Sequence, residues 1–307
     1  MLAVLGVAAP AFAVMALGWL AARRGWIDRP GLRGIELFVF SIAAPALLFA
    51  AGTAGHSAGG ATALAFFLAV FSLYAAILLV AWRAGWPLSR SGPMALDGVY
   101  GNTVMMGIPL VFAAFGQPGL SVLMVILALH ALLLLTIGTI LAEIAAHGGG
   151  RPWPVARSAL IGVLRNPIAM AVLAALLVAA AGIELPPVLR RMLELLGAAT
   201  PGAALFLLGA SLTGFALRAA WRQLALTLLV KLLLLPALVY ALGWLLGLSR
   251  LELAVATLTA ALPTGANAFL MASRYRSGMA ESGAAVLAST LLSVLTLPLV
   301  LLLLGAG

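Results

Sequence analysis

No cysteine occurs in the 307 residues, which excludes disulfides and thiolate metal centres and leaves the redox compartment unmarked. Charge is almost as scarce. Charged residues make up 8% of the chain, lysine occurs once, at position 231, and there are eight acids in all. A soluble domain carries about 25% charged residues, so an ordinary water-facing surface is excluded. Also missing are an HExxH pair, a GxSxG elbow with a partner histidine, and paired membrane aspartates; "GASLTG" is not an elbow, and no intramembrane enzyme is expected. No cofactor is implied. What fills the chain is apolar: 64% hydrophobic residues and a mean hydropathy of +1.20 describe a polytopic integral membrane protein. The apolar runs are continuous rather than alternating, which excludes a β-barrel. The net charge of +9 comes from arginines between apolar runs, a pattern that the positive-inside rule explains without a nucleic acid partner.

Apolar runs predict ten transmembrane helices at residues 2–22, 34–51, 61–82, 93–116, 119–143, 167–182, 193–215, 223–246, 252–272 and 280–304. The first run contains a cleavage-like "AFA" but has no basic leader and continues to Arg23, so it reads as a span rather than a signal peptide. With the first loop cytoplasmic, thirteen arginines lie inside and three, Arg190, Arg191 and Arg250, lie outside. Both termini are then expected on the outer side. Sixteen arginines against one lysine, in an Ala/Leu-rich background, fit a GC-rich bacterial genome and hence a cytoplasmic (inner) membrane.

Proline spacing exposes an internal repeat. Pro10 and Pro167, Pro30 and Pro187, Pro45 and Pro201, and Pro109 and Pro263 stand 157, 157, 156 and 154 positions apart. The intervening text agrees: "GWIDRPGLRGIE" resembles "GIELPPVLRRMLE", and "APALLFA" resembles "TPGAALFL". Residues 1–150 and 151–307 each hold five predicted helices. An odd number makes the second half enter the membrane from the opposite side, the inverted repeat of many secondary transporters.

The fourth helix of each half carries its own interruption, "GNTVMMGIPL" at Gly101–Leu110 and "ALPTGANAFL" at Ala261–Leu270. Pro109 and Pro263 cannot donate to the carbonyl four residues back, so each helix is expected to split there into half-helices at membrane depth. A single "GIP" reads as a tolerated kink. Two such breaks at symmetric positions, each with an asparagine nearby, read as a site: half-helix N-termini present donors and positive dipole ends to an organic carboxylate.

The same stretches, with "RNP" at Arg165–Pro167, "KLLLLP" at Lys231–Pro236 and "ALPTGANAFLMASRY" at Ala261–Tyr275, resemble the auxin efflux carrier family over essentially the whole chain. That family includes plant PIN auxin exporters and bacterial malate or malonate permeases, within the bile-acid/auxin transporter superfamily. The resemblance implies a scaffold domain of helices 1, 2, 6 and 7 and a transport domain of helices 3–5 and 8–10. The prolines of helices 4 and 9 would meet at an X-shaped crossover, with elevator-type movement and a homodimer through helices 2 and 7. It implies substrate contacts at Asn102, Ile108, Pro109, Asn166, Pro263, Thr264, Gly265, Ala266 and Asn267. His130 stands where plant members often have glutamine, and the long cytoplasmic loop of many plant exporters is absent. A dicarboxylate, an aromatic acid such as auxin, and a sterol-like anion all fit as substrate, and a sodium- or proton-coupled bile-acid-like symporter or a non-transporting receptor are the alternatives.

The remaining polar residues divide by depth. His130 lies mid-helix, about 16 Å from either end, and reads either as a neutral interhelical hydrogen-bond partner or as a substrate or proton-relay group. Lys231 is expected to snorkel toward the inner interface, with a substrate counter-charge or a coupling role as the other readings. Asp97 and Glu281 are expected to open helices 4 and 10 at the inner side, with coupling as the alternative role. Glu36, Glu143 and Glu194 read as interfacial. Thr103, Asn102, Asn267 and Thr264 are the candidate sodium ligands, without a nearby acid, and Met105, Met106 and Met271 read as packing.

Overall fold

The computed structural model describes residues 2–53, 59–147, 161, 164, 167–215, 217 and 221–305, and among these every regular element is a helix. In order they are α1 (Leu2–Arg24), α2 (Arg29–Phe38), α3 (Ala44–Gly52), α4 (Gly60–Arg83), α5 (Leu88–Val99), α6 (Ile108–His147), α7 (Pro167–Ala180), α8 (Pro187–Gly197), α9 (Thr200–Ser211), α10 (Trp221–Leu229), α11 (Leu235–Leu245), α12 (Arg250–Ala261), α13 (Ala266–Arg274) and α14 (Met279–Leu303). Helices run through all ten predicted intervals. Six stretches among the described residues are long and apolar enough to cross a bilayer: Arg29–Gly52, Gly60–Arg83, Thr103–Ala142, Pro187–Gly214, Trp221–Leu245 and Met279–Leu303. At 1.5 Å per residue the 24 residues of α4 rise about 36 Å, more than the roughly 30 Å of hydrocarbon. Large apolar side chains face outward, with Trp82 72% and Leu295 73% exposed, as lipid contact requires.

Local chemistry sets where the helices start and bend. α2 begins five residues before the predicted span, because Asp28 accepts from the Gly31 N–H at 2.8 Å and Pro30 suits the first turn. α2 is amphipathic and buries none of its residues, so an apolar run alone misses it. α12 opens on a capping box in which the Ser249 hydroxyl accepts from the Glu252 N–H and the Glu252 carboxylate accepts from the Ser249 N–H. Three π turns interrupt the helices, Val39–Ala43, Thr103–Gly107 and Val230–Leu234, and each ends two residues before a proline: Pro45, Pro109 and Pro236. The physical cause is shared. Proline brings no N–H and its ring crowds the carbonyl four residues back, so the turn ahead of it widens to the i+5 pattern. Gly116 (φ 62°, ψ −154°), just ahead of Pro118, is the one non-helical residue within α6 and marks the predicted boundary between the fourth and fifth segments.

Packing is tightest where glycines replace side chains. A Cβ on Gly18 of α1 would lie 2.0 Å from the Phe206 carbonyl oxygen of α9, and one on Gly209 of α9 would lie 1.8 Å from the Met15 oxygen of α1. The contact is reciprocal, and it draws two backbones together as small residues do between membrane helices. Gly197, at the end of α8, packs on α3 in the same way, since a Cβ there would lie 2.8 Å from the Leu47 Cα. One apolar cluster joins Met15, Leu48, Leu123, Val172 and Leu208; a second joins Phe66, Val70, Leu96, Leu134, Leu235 and Ala256. Gly209→Leu is expected to destabilise the protein by about 3 kcal/mol, the upper range for overpacking, whereas Gly34→Ala, with no atom within 4 Å of the new Cβ, stays near wild type in thermal unfolding.

Candidate functional site

Both interruptions fall where the sequence motifs place them, but not by identical means. α5 stops at Val99, residues 100–102 are extended or irregular, and the chain turns helical again at Thr103. α12 stops at Ala261, and the chain resumes as α13 at Ala266. Pro263 sits inside its break. Pro109 does not: it lies seven residues beyond Asn102, in the first turn of α6, where it widens the helix into the π turn instead of cutting it.

The two breaks pair with each other. Gly101 and Thr264 form an isolated antiparallel bridge in which the Asn102 N–H donates to the Pro263 carbonyl at 2.8 Å and the Gly265 N–H to the Tyr100 carbonyl at 3.0 Å. Backbone groups freed by one interruption satisfy those freed by the other. Gly265 is needed for this approach, since a Cβ there would lie 2.9 Å from both the Gly101 oxygen and the Tyr100 ring.

Side chains of α6, α13 and α14 and a backbone carbonyl of α5 hold the pair. His130 of α6 is buried; its Nε2 accepts from the Gly101 N–H at 3.3 Å, and its ring lies 4.5 Å from that of Tyr100. Nε2 thus makes an interhelical hydrogen bond, and Nδ1 has no partner within the protein. The Thr264 hydroxyl donates to the Asp97 carbonyl at 2.9 Å, and the Thr264 N–H donates to the Ser289 hydroxyl of α14 at 2.9 Å. Asn267 donates from Nδ2 to the Tyr100 hydroxyl at 3.0 Å.

Two expectations are corrected here. Asp97 does not open its helix at the membrane face: α5 begins nine residues earlier, so Asp97 falls in its last turns, 2% exposed, and accepts from the Ser282 hydroxyl at 2.5 Å. Lys231 does not snorkel. It is fully buried and its ammonium donates to the Ala260 carbonyl at 2.6 Å.

The structure thus brings together Asn102, Thr264, Gly265, Pro263, Asn267, His130, Asp97 and Lys231. Ile108 and Pro109 are buried along α6, Ala266 opens α13, and Glu281 lies in the first turn of α14 beside Ser282. Met106 is a core residue. Asn166 and Arg165 lie outside the described residues. Sequence reasoning passed over Tyr100, Ser282 and Ser289. The serines had a signal: Ser282, Ser289 and Ser293 recur at steps of seven and four along an otherwise apolar span, one polar stripe on one helix face, and all three are buried.

Two buried donors at the site are left over: His130 Nδ1, which carries the ring proton because Nε2 accepts, and Asn102 Nδ2. Asn102 is buried, its backbone is committed to the bridge, and its Nδ2 has no hydrogen-bond partner within the protein. It lies immediately before the turn whose first N–H groups, at Val104 and Met105, point out of the helix end by position, and both of those residues are partly exposed. The site therefore offers an amide donor and a helix N-terminus with no acid of its own on that side chain. Ser282→Ala removes the side-chain donor to a buried carboxylate and is expected to cost about 1–3 kcal/mol in thermal or denaturant unfolding; in Asp97→Asn protein the same change costs less, and a double-mutant cycle reads the difference.

Comparison with known proteins agrees with this architecture. The sequence profile described as "Membrane transport protein" matches residues 3–301. A protein of Rhizobium meliloti (strain 1021) described as "Putative malonate transporter" is 28% identical over 317 residues, covering 98% of this chain and 96% of the relative. Matched from end to end, with its two broken helices paired at the motifs that carry the resemblance, this chain belongs to the auxin efflux carrier family of membrane transport proteins.

Proposed function

We propose that this protein is a secondary carrier of small organic carboxylates, malonate and related dicarboxylates first, with its substrate held at the paired breaks. The observation that carries this reading is the unpartnered Asn102 Nδ2 beside a half-helix N-terminus. A buried amide donor without a partner costs about 1–3 kcal/mol, and a carboxylate oxygen at that place removes the cost and gains from the helix dipole. The name of the Rhizobium meliloti relative favours a dicarboxylate over a bulky sterol-like anion. Thr264, Gly265, Ala266 and Asn267 supply the opposite wall, and Ile108 and Pro109 back the first break.

The carrier moves its substrate by alternating access between two bodies. Helices 3–5 and 8–10 form the mobile body, which supports the breaks; helices 1, 2, 6 and 7 form the scaffold. Two features support this division. The second apolar cluster draws only on α4, α5, α6, α11, α12, α13 and the residues of the first break, all within the mobile body. The glycine-mediated contact of α1 with α9 locks two scaffold helices backbone to backbone. The ten-span inverted repeat is supported by its prolines: Pro30 and Pro187, and Pro45 and Pro201, each fall in the first turn of a helix. The arginine asymmetry favours both termini outside a bacterial inner membrane, and a homodimer through helices 2 and 7 is carried over from the resemblance.

Reconstituted protein on a supported membrane is expected to give a saturable response to malonate that exceeds those to indole-3-acetate and a bile acid. Asn102→Ala should weaken malonate binding about tenfold, the loss of roughly 1.4 kcal/mol, in protein that still unfolds cooperatively. Unchanged affinity in folded Asn102→Ala protein would remove the site from the breaks. Binding without any transport would favour a receptor instead.

A further inference from the structure

Lys231 is the only lysine, and it sits in the π turn Val230–Leu234 ahead of Pro236, fully buried. Its ammonium donates to the Ala260 carbonyl at 2.6 Å. Ala260 belongs to the last turn of α12, where the carbonyls have lost their helical partners to the break and form the negative end of the half-helix dipole. The neighbouring Thr259 carbonyl accepts from the Leu262 N–H at 3.4 Å, and the Ala260 carbonyl accepts from Lys231. The ammonium also backs the first break: a Cβ built on Gly101 would lie 3.6 Å from Nζ. Among the described residues no carboxylate lies within 4.0 Å of it.

In carriers built from broken helices, half-helix C-terminal ends and unwound carbonyls are where a sodium ion or proton binds. Here a covalently attached cation already stands at such an end, bonded to the last turn of α12 and lying beside Gly101 of the first break. We propose that the Lys231 ammonium takes the place of a coupling cation: it neutralises the C-terminal end of α12 and holds the paired breaks in register, so that an anion binds there without an inorganic cation. The part concerning the anion rests on the carboxylate-carrier reading above; the part concerning the cation does not. Lys231 acts as a positioning residue, since its contact is with backbone and not with substrate.

Lys231→Ala removes three methylenes and the ammonium, which together correspond to propylammonium. Thermal unfolding of the purified full-length protein, at constant ionic strength with choline as the replacement cation, tests the cation part directly. Wild type should unfold at the same temperature in sodium and in choline, and propylammonium should leave it unchanged. Lys231→Ala should unfold at lower temperature and recover saturably with propylammonium but not with 1-propanol. Lys231→Met, of similar length and uncharged, should stay low in all of them, and Lys231→Arg should recover part of the loss. Saturable stabilisation of wild type by sodium, an alanine variant as stable as wild type, or equal recovery with propanol would each overturn the proposal. Where the alanine variant does not fold, the methionine and arginine variants decide it: equal stability of the two overturns it. Malonate affinity is measured in parallel. Equal affinity in sodium and choline is expected, and a tenfold drop in choline would overturn the proposal. Charge-specific rescue in a protein that binds no carboxylate would leave the cation assignment standing and remove the carboxylate reading alone.

Discussion

Two backbone hydrogen bonds, Asn102 N–H to Pro263 and Gly265 N–H to Tyr100, are the constraint on which the interior depends. In a bilayer each unsatisfied backbone group costs several kcal/mol, so a helix cannot stop at mid-depth unless something meets its open ends. Here the partner of each interruption is the other interruption. Neither break is tolerable alone, and the coupling brings α5, α12, α13 and the start of α6 to one place. The requirement for glycine at 265 follows from the same contact, because the two strands approach more closely than a Cβ permits.

Around that pair, four polar side chains are spent on backbone, while Asn267 meets Tyr100 and Ser282 meets Asp97 side chain to side chain. His130 accepts from Gly101, Thr264 donates to the Asp97 carbonyl, Ser289 accepts from Thr264, and Lys231 donates to Ala260. Each meets a group that the breaks expose. The result is a frame in which extended chain at membrane depth is satisfied from several sides, which is the condition for irregular backbone inside a bilayer. Within that frame two nitrogens stay unpartnered, His130 Nδ1 and Asn102 Nδ2, and the functional reading rests on the Asn102 amide beside the helix end.

The prolines divide into two physical roles. Pro263 stands inside a break, whereas Pro45, Pro109 and Pro236 each follow a π turn and leave the helix continuous. The same missing N–H gives both outcomes. What differs is whether neighbouring backbone is available to replace the helical partners, as the Tyr100–Asn102 strand is for Pro263. Lys231 lies within one of these π turns, so a widened turn carries the residue that reaches the opposite break.

Composition alone determined that this is a helical membrane protein, because apolar runs of twenty residues have no other stable form in lipid. The motifs at Gly101–Leu110 and Ala261–Leu270 located the breaks, because asparagine, glycine and proline inside such runs contradict the helix around them. Depth and partnership were not legible. Asp97 looked interfacial because its helix starts in the polar sequence "LSRSGP", which an apolar scan discards, and Lys231 looked free to snorkel because its partner carbonyl is 29 residues away. Tyr100, Ser282 and Ser289 were passed over for the same reason. A side chain's neighbours across helices depend on rotation and crossing, which the tertiary structure decided through glycine contacts between α1 and α9 and through the hydrogen bonds between the two breaks.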